Sequence, residues 1–171
     1  MDIVRIVSVN VGRAAPLDSS SGQELSAIVK RAVDGAVAVQ PLGLEGDEQA
    51  DLGVHGGLAK AVYAYPVRHY PFWNTVRAQA GAAAWGAALP YGALGENLSF
   101  EGPDERNLWI GDRLRFPGCE LAVSEPRHPC HKFAAVMGCF ETRTWYPPTV
   151  APPSPGAVHE SVKLVARRLL T

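Results

Sequence analysis

The chain has 171 residues, of which 47% are hydrophobic and 19% charged, as in an ordinary globular protein that buries one core. Its formal net charge of −1 gives no bulk attraction to nucleic acid or to an anionic membrane. Three unevenly spaced cysteines without a Cys-x-x-Cys pair indicate neither a disulfide framework nor a structural zinc cluster. With no recognisable signal peptide or transmembrane span, the sequence predicts a cytoplasmic protein with neither nucleic-acid nor membrane partners.

Short apolar runs bounded by turn residues predict strands along the whole chain. In chain order they cover residues 3–11, 25–33, 36–42, 61–64, 98–100, 109–116, 120–124 and 160–170. Asp34-Gly35 separates the second run from the third, and because both residues tolerate positive φ these two runs predict a β-hairpin. Many short strands and few helices predict a mainly β fold, namely a closed or nearly closed β-barrel with a few peripheral helices.

Three segments are predicted to be loops, and two are predicted to be helices. Residues 14–23 are polar, residues 43–57 hold five glycines and four acids, and residues 147–155 hold five prolines, so all three predict irregular structure. One helix is expected to begin at Pro66 or Pro71 and to run to about Ala80. A second helix is expected over residues 130–137, with Gly138 ending it.

The most informative segment is Glu125-Pro126-Arg127-His128-Pro129-Cys130-His131-Lys132. It places one cysteine among four side chains that are or can become cationic, at the start of the second predicted helix. Positive charge and a helix N-terminus favour the thiolate, which is the form that binds metals or acts as a nucleophile. The pattern therefore predicts an anion-binding pocket around a reactive or metal-bound Cys130. The alternative is a buried packing cysteine beside a solvated basic turn.

Two further motifs favour ligand binding. Gly56 and Gly57, between His55 and Lys60, allow a backbone to approach an anion closely and to expose N–H donors. Asn97, in the sequence Gly-Glu-Asn-Leu, can donate to and accept from the edge of a heterocycle. Without a ligand, the first motif is a tight turn and the second a turn that leads into a strand.

Asp47, Asp51 and His55 are spaced by four residues and would share one face of a helix as metal ligands. The neighbouring glycines argue against a helix in this segment. We therefore expect loop-capping acids here, with Asp47 fixing the loop, instead of a metal site.

Read in order, these segments resemble the MOSC domain family, named after the C-terminal domain of molybdenum cofactor sulfurase, and within it the YiiM-like bacterial branch. The resemblance extends over roughly residues 3–170 and predicts a single domain over residues 1–171 that lacks the C-terminal helical extension of longer members. The matching motifs are Gly43 to Gly57, Lys60-Ala61, Tyr65-Pro66, His69-Tyr70, Trp73, Gly95 to Leu98, Ile110 to Asp112 and Ser124 to Lys132. The chain departs from the family where Val67 follows Tyr65-Pro66 in place of an arginine, since Arg68 comes one residue later.

The resemblance implies that the chain binds a molybdenum cofactor (molybdopterin), with Cys130 as the catalytic residue and the metal ligand. It implies an oxidoreductase that reduces small N-hydroxylated compounds, such as N-hydroxylated bases, to amines, with a separate electron-donor protein as partner. The residues expected to bind the cofactor or to line its pocket are His55, Gly56, Gly57, Lys60, Asn97, Arg127 and Lys132.

Two other functions remain open at the level of sequence. One is a non-catalytic module that binds or transfers the molybdenum cofactor. The other is a metal-free, cysteine-based sulfur carrier in which His128 or His131 activates Cys130.

Overall fold

The computed structural model describes residues 4–20, 22–103, 107–127, 130–138 and 162–169. The strands are β1 (Arg5–Val11), β2 (Ala15–Ser19), β3 (Gly22–Ser26), β4 (Arg31–Ala32), β5 (Val39–Gln40), β6 (Gly43–Leu44), β7 (Val62–Pro66), β8 (Leu98–Glu101), β9 (Arg113–Phe116), β10 (Cys119–Pro126) and β11 (Val162–Leu169). The helices are α1 (Leu52–His55), α2 (Tyr70–Gln79) and α3 (His131–Met137), and 3₁₀ turns cover Leu58–Lys60 and Val67–His69. The fold is thus mainly β, as predicted.

Seven strands form one sheet in the order β4-β1-β8-β7-β11-β10-β9. All neighbours are antiparallel except β7 and β8, which are parallel. Within the described ranges no ladder joins β9 back to β4, so the sheet is open there; of the predicted closed or nearly closed barrel, closure is wrong. The reason is that β2 pairs with β3 and β5 with β6 in two separate hairpins, so none of these four strands bridges the two edges.

Two predictions in the N-terminal part are also wrong. Residues 14–23, predicted as a loop, contain most of the β2–β3 hairpin, whose strands are mostly exposed and therefore lack an apolar signature. Asp34-Gly35 does not join two paired strands, although Gly35 does have a φ of 84°. Instead β4 pairs with β1, and β5 pairs with β6.

The remaining elements lie close to their predicted positions. Pro71 stands in the first turn of α2, and Pro66 ends β7. Gly138 ends α3 in the left-handed conformation, with a φ of 70°. The glycine-rich segment 43–57 is largely irregular but includes β6 and the single turn α1. The proline-rich segment 147–155 lies outside the described residues.

The buried apolar residues form two clusters. The first lies on the main sheet and includes Val62, Phe100 and Leu121. The second packs α2 and α3 against the other side of β7 through residues such as Trp73 and Phe133. The segment that carries Cys130 is therefore anchored at the boundary between sheet and helices. Among the described residues, none of the helices has the length and apolar character needed to cross a membrane.

A buried carboxyl group shapes the loop that precedes β8. Glu96 has no solvent exposure and accepts hydrogen bonds from the Tyr70 hydroxyl, the Ser99 hydroxyl and the backbone N–H groups of Gly92 and Leu94. Burial raises the pKa of Glu96, while these donors act in the opposite direction by favouring its charged form. The loop is thereby held in place, and with it the next residue, Asn97.

Candidate functional site

Cys130 lies in a cleft where several separate segments of the chain meet, and we call it the Cys130 cleft. It encloses about 550 Å³, counting the part open to solvent. Its walls come from residues 26–30 after β3, residues 47–55, Tyr63 of β7, the loop before β8, and the turn from β10 into α3. Six of the predicted site residues line it, namely His55, Lys60, Asn97, Arg127, Cys130 and Lys132.

Three groups around the sulfur of Cys130 favour its anion. Burial alone would raise the pKa of this thiol, but a hydrogen bond from His55, the charge of Arg127 and the backbone N–H of Phe133 outweigh it and lower the pKa to about 6. Arg127 Nη2 lies 3.9 Å from Sγ. Because Cys130 is the N-cap of α3, the N–H of Phe133 is part of the first helical turn, where it donates to the Cys130 carbonyl at 3.0 Å. At neutral pH the partly buried sulfur is therefore mainly a thiolate.

Arg127 is positioned by an aromatic ring. Its guanidinium carbon lies 5.2 Å from the ring centroid of Tyr63, within the range of a cation–π contact. Tyr63 is itself buried and packs edge-on against Tyr65. The strand that carries Tyr63 thus supports the cation beside Cys130, which connects β7 with the turn before α3.

A buried ion pair lies in the wall of the cleft. The Lys30 ammonium pairs with Asp47, and only 7% and 3% of these side chains are exposed. Asp47 also accepts from the Gly12 N–H at 2.8 Å and from Asn97 Nδ2 at 2.8 Å. Burial lowers the pKa of Lys30, and the negative charge of Asp47 opposes that effect. Asp47 therefore fixes its loop, as the sequence predicts.

The amide of Asn97 is largely used within the protein. Its Nδ2 donates to the Asn10 carbonyl at 3.2 Å and to Asp47, and its Oδ1 accepts from the Tyr63 N–H at 3.1 Å. Both donors of the amide are thus occupied. Asn97 shapes the cleft more than it presents hydrogen-bonding groups to a ligand.

Two lysines of the cleft also have protein partners. Lys60 donates to the Val54 carbonyl at 2.7 Å and lies 3.8 Å from Glu125. Lys132, which is buried, donates to the Leu25 carbonyl at 3.0 Å and lies 3.4 Å from Glu24. Their positive charges are therefore partly compensated.

Not all the predicted residues converge on Cys130. Gly56 and Gly57 follow α1 but lie outside the lining of the cleft. His131 faces Glu24, with Nε2 2.7 Å from Oε1, so His55 is the described histidine that contacts the sulfur. His128 lies outside the described residues.

The trio Asp47, Asp51 and His55 does not form a metal site. Asp47 pairs with Lys30, whereas Asp51 caps α1 by accepting from the N–H groups of Gly53 and Val54. Across the part of the chain that the structure describes, no three His, Cys, Asp or Glu side chains are grouped as metal ligands.

Sequence reasoning missed Lys30 and Tyr63 as cleft residues. Lys30 stands within the apolar run 25–33, where a lone lysine signals either an exposed edge or a buried ion pair. Its partner Asp47 is 17 residues away, and local patterns cannot reveal such a pairing. Tyr63 belongs to an aromatic run that indicates core packing, and it does pack in the core while also supporting Arg127.

Comparison with known proteins identifies the family. The MOSC domain model matches residues 51–164, more than half of the chain. Protein YiiM of Escherichia coli (strain K12) is 45% identical over 107 residues, which cover 63% of this chain and 46% of YiiM. The uncharacterized protein YflK of Bacillus subtilis (strain 168) is 38% identical over 136 residues, which cover 80% of this chain and 58% of YflK.

Other comparisons agree in fold and sequence. A protein named Reductase from Gibberella moniliformis (strain M3125 / FGSC 7600) is 38% identical over 128 residues, which cover 74% of this chain and 22% of that protein. The crystal structure of YiiM from Escherichia coli superposes with a TM-score of 0.52 at 26% identity, covering 93% of this chain and 72% of that one. The chain spans about half the length of YiiM and YflK. By the sequence match and the shared architecture, this chain belongs to the MOSC domain family.

Proposed function

We propose that this protein binds a molybdenum pyranopterin cofactor through Cys130 and reduces small N-hydroxylated compounds to amines. The observation that carries the proposal is a thiolate held by His55 and Arg127 in an open cleft. Its family membership and the fungal relative named Reductase support redox chemistry. A separate protein that donates electrons is part of the proposal.

The side chains in the cleft fit a metal ion whose other ligands come from the pterin cofactor. The described residues lack a group of three protein ligands that could hold a bare ion, but a pterin-borne metal needs only one soft protein ligand, such as a thiolate. Four cationic side chains and three carboxylates line the cleft. The Cys130 thiolate balances the remaining positive charge, and Arg127 places a cation directly beside the sulfur, where an anionic cofactor would bind.

Each residue around the sulfur has a defined task in the reaction, which converts R–NH–OH, two electrons and two protons into R–NH2 and water. Two-electron chemistry at the hydroxyl oxygen is what the cofactor supplies when bound. His55 holds a proton against Cys130 Sγ and Arg127 adds positive charge there, so the sulfur stays deprotonated and ready to bind a metal. Lys60 and the buried Lys132, both in the cleft lining, attract the negatively charged parts of the cofactor.

The proposal is tested by producing the protein in a host that synthesises the cofactor and measuring molybdenum by elemental analysis. We expect the Cys130→Ser variant to lose bound molybdenum together with reduction of an N-hydroxylated purine by reduced viologen. The matched control is Cys119→Ser, since Cys119 lies at the start of β10, outside the cleft lining, and should retain both. Molybdenum retained by the Cys130→Ser protein would refute the ligand assignment.

The same thiolate supports a second candidate, a metal-free cysteine chemistry such as sulfur transfer. It is favoured by the hydrogen bond from His55, since a histidine-paired thiolate is also an activated nucleophile. This candidate predicts protein without molybdenum from the same host, and a persulfide on Cys130 that mass spectrometry detects after incubation with thiosulfate, whose outer sulfur passes to the thiolate as sulfite leaves. Stoichiometric molybdenum in the wild-type protein would exclude it.

A further inference from the structure

A second cavity lies on the other side of the segment that follows β3, and we call it the arginine pocket. It encloses about 680 Å³, counting the part open to solvent. Arg13 and Arg31 stand among its lining residues, and it shares Ser26 and Ile28 with the Cys130 cleft. A single segment of chain, which carries Ser26 and Ile28, therefore separates the two cavities. The proposed function assigns no role to the arginine pocket.

The chain topology places both arginines on this pocket. Arg31 of β4 is paired with Val11, the last residue of β1, and Arg13 follows Val11 by two residues. Arg13 and Arg31 are the charged residues of its lining, which includes no acidic residue from the described part of the chain. The acid nearest to Arg13 is Glu48, at 3.9 Å, and the Arg13 side chain remains 82% exposed. An ion pair at this distance and exposure is weak, so the guanidinium is available to a ligand.

The rest of the pocket wall is mostly apolar. Val11, Ala15, Pro16, Leu17, Ile28 and Val29 contribute to it, and Val29 is 53% exposed. An apolar concavity with a few polar groups at one side is the usual form of a small-molecule site, because the wall gives affinity and the polar groups fix orientation. Two guanidinium groups can hold a carboxylate, sulfonate or phosphate oxygen pair by charge-assisted hydrogen bonds.

We propose that the arginine pocket binds an organic anion with an apolar body, whose acid group lies between Arg13 and Arg31. The charge of the two arginines is complementary to the acid, and the six apolar residues cover the body. The proposal does not rest on Cys130 or on the molybdenum cofactor, so it stands even if the proposed function fails.

The test uses 8-anilino-1-naphthalenesulfonate, which is anionic, aromatic and fluorescent when bound in an apolar site. Its uncharged counterpart is N-phenyl-1-naphthylamine, which has the same aromatic body without the sulfonate. We expect one saturable site for the sulfonate, and about tenfold or greater weakening in the Arg13→Ala/Arg31→Ala double variant. Binding of the uncharged probe should change little. Equal affinity of both probes, or no saturable binding by the wild-type protein, would overturn the proposal.

Matched variants separate the pocket from general charge and from the Cys130 cleft. Arg5→Ala/Arg113→Ala removes the same charge from two exposed strand positions and should leave sulfonate binding unchanged. Ala15→Glu introduces a carboxylate at an exposed position of the pocket wall and should weaken binding, whereas Ala36→Glu at an exposed position outside the wall should not.

Loss of binding in Arg127→Ala but not in the Arg13/Arg31 variant would place the probe in the Cys130 cleft and refute the assignment. Near-ultraviolet circular dichroism checks that each variant is folded.

Discussion

At the scale of single residues, the chemistry of this protein depends on how Cys130 differs from the other described cysteine. Cys119, at the start of β10, is partly buried against the sheet core, and burial raises the pKa of its thiol. Cys130 is also removed from water, but His55, Arg127 and the N–H of Phe133 act on its sulfur. Two thiols of one chain are therefore expected to react very differently at the same pH.

We expect Cys130 to be alkylated by iodoacetamide at a nearly constant rate between pH 7 and 8, in cofactor-free protein from a Cys139→Ser background. With a pKa of about 6, most of the thiol is already ionised, whereas the rate of an ordinary thiol rises about tenfold per pH unit in this range. His55→Ala removes one stabilising hydrogen bond and should restore the rise. Mass spectrometry of the two cysteine peptides measures both rates, with Cys119 as the internal control. A Cys130 rate that climbs in parallel with that of Cys119 would contradict the thiolate assignment.

At the scale of elements, helix α3 positions Cys130, and both of its ends are set by particular residues. Cys130 is the N-cap, and Gly138 ends the helix with a φ of 70°. A Cβ atom on Gly138 would lie 2.7 Å from the Cβ of Ala82. The end of α3 is therefore fitted tightly against the segment that follows α2.

We expect Gly138→Ala to destabilise the protein more than Gly118→Ala. Gly118 has a comparable φ of 82° but free space around a new Cβ, so its substitution should cost only the backbone strain of about 1–2 kcal/mol. At Gly138 the contact with Ala82 should add about 1–3 kcal/mol. Urea denaturation of the two variants measures the difference. Equal losses of stability would show that the helix end relaxes freely.

An element can be predicted from the sequence when the residues that determine it lie within it or next to it. The ends of α3 are set by residues directly beside it, and Pro71 lies within the first turn of α2, so the sequence predicts both. The β2–β3 hairpin is exposed on one face, and its partly buried face carries Leu17 beside the polar Ser19, Glu24 and Ser26, so it shows no apolar alternation. Asp34-Gly35 has the local signal of a hairpin, but β4 pairs instead with β1, and long-range pairing overrides the turn.

At the scale of the whole molecule, the site is a meeting point of distant segments. Cys130 and Arg127 belong to a basic motif that indicates thiolate chemistry, whereas His55 is predicted only beside a glycine motif that indicates anion binding. The pairing of Lys30 with Asp47 and the contact of Arg127 with Tyr63 depend on the completed sheet. For the same reason the open sheet was missed, since strand composition does not determine whether the two edges meet.

The carboxylate of Asp47 holds these segments together. Substituting Asp47 tests this role. Its carboxylate contacts Gly12 after β1, Lys30 before β4, and Asn97 before β8. We expect Asp47→Ala to reduce the free energy of unfolding by about 3–5 kcal/mol, because it leaves the buried Lys30 charge uncompensated. Adding Lys30→Met should recover part of the loss, since the unpaired charge is then gone.

The neighbouring acid provides the control for Asp47. Glu48 has a side chain that is 46% exposed and accepts a hydrogen bond from the Ala14 N–H at 2.8 Å, so Glu48→Ala should cost about 1 kcal/mol or less. Urea denaturation at pH 7 measures all three variants against the wild type. If Asp47→Ala were no more destabilising than Glu48→Ala, the buried ion pair would not be what joins β1, the segment before β4 and the loop before β8 around Cys130.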